Sequence, residues 1–128
     1  MIVAGVGCRA GASAGEVEAA IAAALDRAGL PAGALGAIAT SYAKRSEAGI
    51  AAAASERGVK FVVVPQAELQ AAGSRAVTRS ERVLALTGVP SVSEAAALAA
   101  GGPAARLIAP RIAVGSATCA LAITEETP

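Results

Sequence analysis

Histidine is absent from this 128-residue chain, and with it the commonest general base at neutral pH and the commonest zinc ligand. Serine-histidine and cysteine-histidine catalysis within one chain are thereby excluded. Tryptophan is absent too, and Tyr42 and Phe61 are the only aromatic residues. Charge is scarce and balanced: 11 Lys and Arg against 10 Asp and Glu leave a net +1. Nucleic-acid binding draws on a basic excess and on aromatic stacking, so no nucleic-acid partner is expected. The two cysteines, Cys8 in a glycine loop and Cys119 in an apolar run, have neither metal-site nor disulfide-framework spacing. No metal and no cofactor is expected.

Long hydrophobic runs are also missing. The chain is 55% hydrophobic with a mean hydropathy of +0.58, yet a spanning helix needs about 20 apolar residues in succession. Every long uncharged stretch here is interrupted by Gly, Pro, Ser or Thr. Much of the apolar fraction is alanine, which buries little area, so the core is thinner than the percentage suggests. The first residues carry no basic region and no cleavage site after a long apolar core, so no signal peptide is read. We expect a cytoplasmic protein with no membrane partner. Its length suits one domain, residues 1–124, followed by a disordered tail at 125–128.

What the sequence does contain is an alternation of short apolar runs and helical patterns. Residues 2–6 read as a strand, followed by a glycine loop and by Ser13 with Glu16, the spacing of a capping box. The stripe Val17, Ile21, Ala24, Leu25 and Ala28 then marks one helical face, closed by Gly29 and Pro31. Residues 36–41 form a second strand, and 46–57 a helix stopped by Gly58. Residues 59–64 are β-branched and nearly continuous in apolarity, as expected of a strand covered on both faces. Pro65 opens a short helix reaching about Leu69, with a loop over 72–77. Thr78 with Glu81 has capping-box spacing ahead of a helix or turn ending near Thr87, and Ser91 with Glu94 has it ahead of an alanine-rich helix stopped by Gly101, Gly102 and Pro103. Residues 106–109 and 117–123 read as an antiparallel hairpin, because their connection is too short for a crossover helix. The fold class is α/β: one three-layer α/β/α domain on a mixed, mostly parallel sheet ending in that hairpin.

Polar residues gather in three islands, at 5–9, 39–50 and 88–98, each read as lying between an apolar run and a helix. In open α/β sheets the strand ends that feed helices converge on one crevice where ligands bind, so the islands are expected to build a single site. Gly5, Gly7 and Gly11 invite a dinucleotide reading, but the last gap is four residues rather than three, and no acidic residue ends the second strand. Two readings remain: glycines that let backbone approach a ligand, with an anion at the helix N-terminus, or a tight turn with no ligand. Arginine outnumbers lysine nine to two, and guanidinium grips carboxylate in a bidentate fork. Arg9, Lys44, Arg45 and Arg111 fall in or beside turns and suit either a polycarboxylate ligand or ordinary solvation. Arg27, Arg57 and Lys60 read as solvated charge. Glu47 is a candidate for chemistry or for pairing with Lys44 one turn away. Glu94 reads chiefly as a capping residue, a role in which glutamine would serve as well.

Taken in order, several elements resemble those of the CobE family, which is homologous to the C-terminal domain of CbiG. They are Gly7-Cys8-Arg9, then Ala39-Thr40 with Lys44 and Glu47-Ala48-Gly49, then Ser80, then Gly88-Val89 with Ser91-Val92 and Glu94 to Leu98, and Ala117 to Ala120. The family belongs to cobalamin biosynthesis. CbiG-type proteins hydrolyse cobalt-precorrin-5A by opening a δ-lactone with loss of a two-carbon aldehyde. The chain departs from the family pattern at Tyr42, where an acidic residue is common, and at Arg111, where lysine is common.

The resemblance implies a partner that is a tetrapyrrole, a carboxylated precorrin or hydrogenobyrinate-like intermediate, bound by a carrier or by a hydrolase-like subunit. Gly7, Cys8, Arg9, Thr40, Ser41, Lys44, Ser91, Glu94 and Arg111 are the expected ligand-binding residues. If lactone opening occurs, Lys44 or Arg9 would stabilise the oxyanion and Glu47 would orient or deprotonate water. The alternatives are an interaction module docking on a corrin-pathway methyltransferase, and a nucleotide-binding enzyme.

Overall fold

The computed structural model describes residues 1–124. The N-terminal apolar run becomes strand β1 (Ile2–Cys8), and helix α1 (Ala14–Arg27) follows it. Strand β2 (Leu35–Ser41) leads through a tight 3-10 turn at Tyr42–Lys44 into α2 (Ala48–Arg57), and β3 (Lys60–Val64) completes the parallel part. Three helices then come in succession, α3 (Gln66–Gly73), α4 (Glu81–Thr87) and α5 (Val92–Gly101), before β4 (Arg106–Val114) and β5 (Ala117–Ile123). The strand order is β3-β2-β1-β5-β4. β2 is parallel to both β1 and β3, whereas β5 is antiparallel to β1 and β4. The mixed sheet expected from the sequence is present, with its pairings divided evenly between the two senses.

The capping box at Ser13 and Glu16 forms as read: Ser13 Oγ accepts from the Glu16 amide at 3.1 Å, and Glu16 Oε1 accepts from the Ser13 amide at 3.1 Å. Val17, Ile21, Ala24 and Leu25 are buried against β1 and β5, in a core with Val6, Ile38 and Leu121. α2 adds Ile50 and Ala53 to this same face. α3 and α5 cover the other face, where Val3, Val64, Leu69 and Val89 pack with alanines of α5. Helices on both faces make the three layers.

Alanine and glycine act together in the packing of α5. From Ser93 to Leu98 every residue of that helix is buried. The helix lies so close to β1 that a Cβ on Gly5 would collide with the Ser93 carbonyl and come within 2.6 Å of the Ala97 nitrogen. Small side chains thus buy proximity rather than area, which is why an alanine-rich chain can still exclude water from a thin core.

Several sequence expectations need correction. β3 is an edge strand with Phe61, Val62 and Val63 only half-buried, so continuous apolarity did not mean two covered faces. β4 runs five residues further than expected. It lies at the other edge, where Pro110 costs no ladder bond, and the register shifts between Leu107 and Ile112. α2 starts at Ala48 because Ser46 and Glu47 complete a turn, with the Glu47 amide donating to the Lys44 carbonyl at 3.1 Å. α3 extends to Gly73, past Leu69. Thr78 caps nothing: Ser80 Oγ accepts from the Val83 amide and opens α4. The tail expected at 125–128 lies outside the described residues. Among the described residues no single helix is long and apolar enough to cross a membrane.

Candidate functional site

Two of the three islands meet at the carboxyl ends of β1 and β2. The loop after β1 is held to the hairpin turn by the Arg9 amide, which donates to the Ser116 carbonyl at 2.9 Å. It is held to the second island by Glu47, whose Oε1 accepts from the Gly11 amide at 2.9 Å. Gly49 seals the junction, because a Cβ there would collide with the Ala12 carbonyl. Glu47 therefore reaches across to the first loop, and no ion pair joins it to Lys44 among the described residues.

The third island follows α4 rather than a strand, so the inference that it belongs to a strand-helix unit is overturned. It comes to the same edge by another route. α5 runs back along β1, with Val92 beside Gly7 and Ser93 to Ala97 over Gly5. Gly5 therefore serves helix packing, while a Cβ on Gly7 would come within 2.9 Å of the Thr118 hydroxyl on β5, and neither of the two sequence readings of these glycines describes those roles.

Around this edge the expected site residues fall into two groups. Arg9 is exposed and Lys44 half-exposed, and neither side chain has an ion pair among the described residues. Cys8 is half-buried at the end of β1, within reach of the Lys44 charge. Its thiol pKa is raised, first by burial and then by the Glu47 carboxylate, with Lys44 acting in the opposite sense and Glu16 adding to the rise. A thiol so held stays protonated at neutral pH and is not an activated nucleophile.

The second group is internal. Thr40 is fully buried and donates its hydroxyl to the Val6 carbonyl at 2.8 Å, tying β2 to β1. Ser41 and Ser91 are buried as well. Ser91 Oγ accepts from the Glu94 amide at 3.4 Å and caps α5.

Glu94 is the site residue whose surroundings differ most from the sequence reading. Its carboxylate does not return to Ser91 to close a capping box. Although the residue has no exposed surface, Oε1 accepts from the amides of Val77 at 2.8 Å and Thr78 at 2.9 Å. Oε2 accepts from the Thr78 hydroxyl at 2.5 Å and the Arg111 amide at 2.8 Å. Burial pushes the pKa up, but donation from Arg111, Thr78 and Val77 outweighs it, and the net shift is downward. One carboxylate thus ties the start of α5 to the loop before α4 and to β4. Arg111 enters this network through its backbone, not through its guanidinium.

Three more anchors had no sequence signal beyond residue type. Glu16 uses its second oxygen to accept from Ser116, at 3.1 Å from the amide and 2.7 Å from the hydroxyl. These bonds and those from Ser13 hold its pKa at about 2. Arg57, expected to be solvated, forms a bidentate pair with Glu18 at 2.6 and 2.9 Å and also donates to the Ala32 carbonyl. Arg75 donates to the Leu98 and Gly102 carbonyls at the end of α5 and to the Ala105 carbonyl in the connection to β4, the last being the shortest contact at 3.0 Å. With Glu16, Arg57, Arg75 and Glu94 engaged in structure, Arg9 and Lys44 stand out as open cations at the sheet edge.

Comparison with known proteins gives the fold and its edge a context. A family model described as cobalamin synthesis G C-terminus matches residues 2–122. The Sinorhizobium sp. protein CobE is 40% identical over 121 residues, which are 94% of this chain and 79% of that protein. A crystal structure of CobE, titled a protein from the cobalamin (vitamin B12) biosynthetic pathway, superposes with a TM-score of 0.89 at 32% identity, covering 98% of this chain and 93% of that one. The cobalamin biosynthesis protein chiG from Agrobacterium tumefaciens str. C58 is 43% identical with a TM-score of 0.75, covering 98% of this chain and all of that one, 100%. The chain accordingly belongs to the CobE/CbiG C-terminal family and is a protein of cobalamin biosynthesis.

Proposed function

We propose that this protein binds a carboxylated tetrapyrrole of the corrin pathway, a precorrin or hydrogenobyrinate-like intermediate, at the carboxyl edge of β1 and β2. The observation that carries the reading is the pair of open cations, Arg9 and Lys44, on loops fastened to each other through Glu47 and Gly11. Such intermediates are flat rings edged with acetate and propionate groups, which a guanidinium and an ammonium on neighbouring loops complement. Gly7 and Cys8 end the strand that carries the first loop and Thr40 and Ser41 the strand that carries the second, while Ser91, Glu94 and the Arg111 backbone hold α5, which packs on β1. In this reading the protein is a carrier of the intermediate.

A second reading, hydrolytic opening of a precorrin lactone, draws support from the nearness of Glu47 and Lys44. Both act on the same thiol, Cys8. Among the described residues Glu47 engages one oxygen, which would leave the other to orient water, while Lys44 would stabilise the oxyanion.

Absorbance titration with hydrogenobyrinic acid and with uroporphyrin tests the proposal. Arg9→Ala and Lys44→Ala should each weaken binding about tenfold to a hundredfold, the value of one charge-assisted hydrogen bond, with unchanged circular dichroism. If wild-type protein produces no spectral shift with any carboxylated tetrapyrrole, the proposal fails and docking on a pathway methyltransferase takes its place.

A further inference from the structure

We infer that Tyr42 and Arg45 form a stacking platform for the planar face of the tetrapyrrole, an inference that rests on the binding role proposed above. The turn following β2 winds as a 3-10 helix over Tyr42–Lys44 and is closed by the Arg45 amide donating to the Tyr42 carbonyl at 3.2 Å. In such a turn side chains three residues apart eclipse one another. The guanidinium of Arg45 accordingly lies over the Tyr42 ring, 3.8 Å from its centroid.

One guanidinium nitrogen also donates back to the Tyr42 carbonyl at 2.9 Å. The arginine is thus oriented by its own turn before any ligand arrives, and its other N–H groups make no hydrogen bond among the described residues. Ordering a long side chain ordinarily costs entropy on binding, and this one is already ordered.

Position and exposure point the pair at a ligand. Tyr42 is 52% exposed in a chain whose other aromatic residue, Phe61, packs against the core. Its turn is the one that presents Lys44 beside Cys8 and Glu47 beside Gly11. It also sits at the carboxyl end of β2, next to the loop that follows β1, and ligands of open α/β sheets bind outside the carboxyl ends of the strands. A flat conjugated ring with carboxylates at its rim matches a guanidinium-tyrosine stack flanked by Arg9 and Lys44: the ring's face meets the stack, and its rim meets the cations.

With a single tyrosine and no tryptophan, the chain can be tested without labelling. Tetranitromethane should nitrate Tyr42 in the free protein, and saturating hydrogenobyrinic acid should slow that nitration, followed by mass spectrometry. In absorbance titrations Tyr42→Leu and Arg45→Ala should each bind the same tetrapyrrole about tenfold more weakly and lose part of the ligand's spectral shift, while Tyr42→Phe keeps both. If wild-type protein binds hydrogenobyrinic acid but nitration is not slowed and both variants bind as tightly as the parent, the platform is refuted and the binding site stands. If the wild type binds no tetrapyrrole, the binding role itself fails and this inference goes with it.

Discussion

Replacing Glu94 with glutamine preserves the shape of the side chain and removes its charge, so it isolates what the buried carboxylate contributes. The carboxylate accepts four hydrogen bonds, three from the loop before α4 and one from strand β4. A glutamine whose oxygen faces the Val77 and Thr78 amides keeps those two bonds, and its amide nitrogen can donate to the Thr78 hydroxyl. The same nitrogen then faces the Arg111 N–H, donor against donor. Turning the amide over leaves two backbone donors unpaired instead.

A hydrogen bond to a charged group contributes about 1.5–3 kcal/mol, and an unpaired buried donor costs about 1–3 kcal/mol. These overlap, so the expected loss is about 2–4 kcal/mol. In a domain of this size that lowers the melting temperature by about 10 °C. Thermal melts at pH 7 read this directly.

The pH dependence gives a second arm. The folded-state pKa of Glu94 is lowered, whereas in the unfolded chain a glutamate titrates near about 4.3. Its contribution is therefore complete above the unfolded value and is lost as pH falls through the lower folded one. The parent should lose more stability than Glu94→Gln between pH 5 and the acid limit. A variant melting within about 2 °C of the parent at pH 7 would refute the argument.

Glu16→Gln should behave similarly. Ser116 and Ser13 hold the Glu16 carboxyl at about 2, so its stabilisation is present above about pH 4.3 and disappears as pH falls toward 2. Denaturant melts at pH 7 and pH 3 should lie closer together for the variant, and equal spacing would count against the Glu16–Ser116 link. Gly5→Ala should cost about 3 kcal/mol or more, because the new methyl meets the α5 backbone and not a side chain that can swing away. An unchanged melting temperature would mean that α5 can lift from β1 freely. Native protein should show at most one thiol slowly reactive toward Ellman's reagent, since Cys119 is fully buried with its pKa pushed up to about 12 and Cys8 is half-buried with a raised one. Two fast thiols would contradict both assignments.

Local rules acted on residues close in sequence, and those parts of the protein were determined by the sequence itself. Ser13 and Glu16 lie three apart and cap α1 through bonds that need no other element. Gly58 ends α2 in the left-handed conformation that glycine alone adopts freely. The short connection between β4 and β5 admits only an antiparallel pairing. The family, too, was legible, because motif order survives where geometry is unknown.

Tertiary structure decided the roles of residues whose partners lie far along the chain. Glu94 has the spacing of a cap and the function of a cross-link, because Val77, Thr78 and Arg111 reach it only once α5 lies on the sheet. Glu47 meets Gly11 across 36 residues, and Glu16 meets Ser116 across 100. Whether β3 is covered on both faces depends on strand order, which no run of valines specifies. Gly5 looks like part of a phosphate loop until α5 occupies the space a side chain would need. Periodicity and capping are properties of a chain segment, whereas the partner of a buried carboxylate is a property of the whole fold, set by packing that brings distant backbone donors to one point.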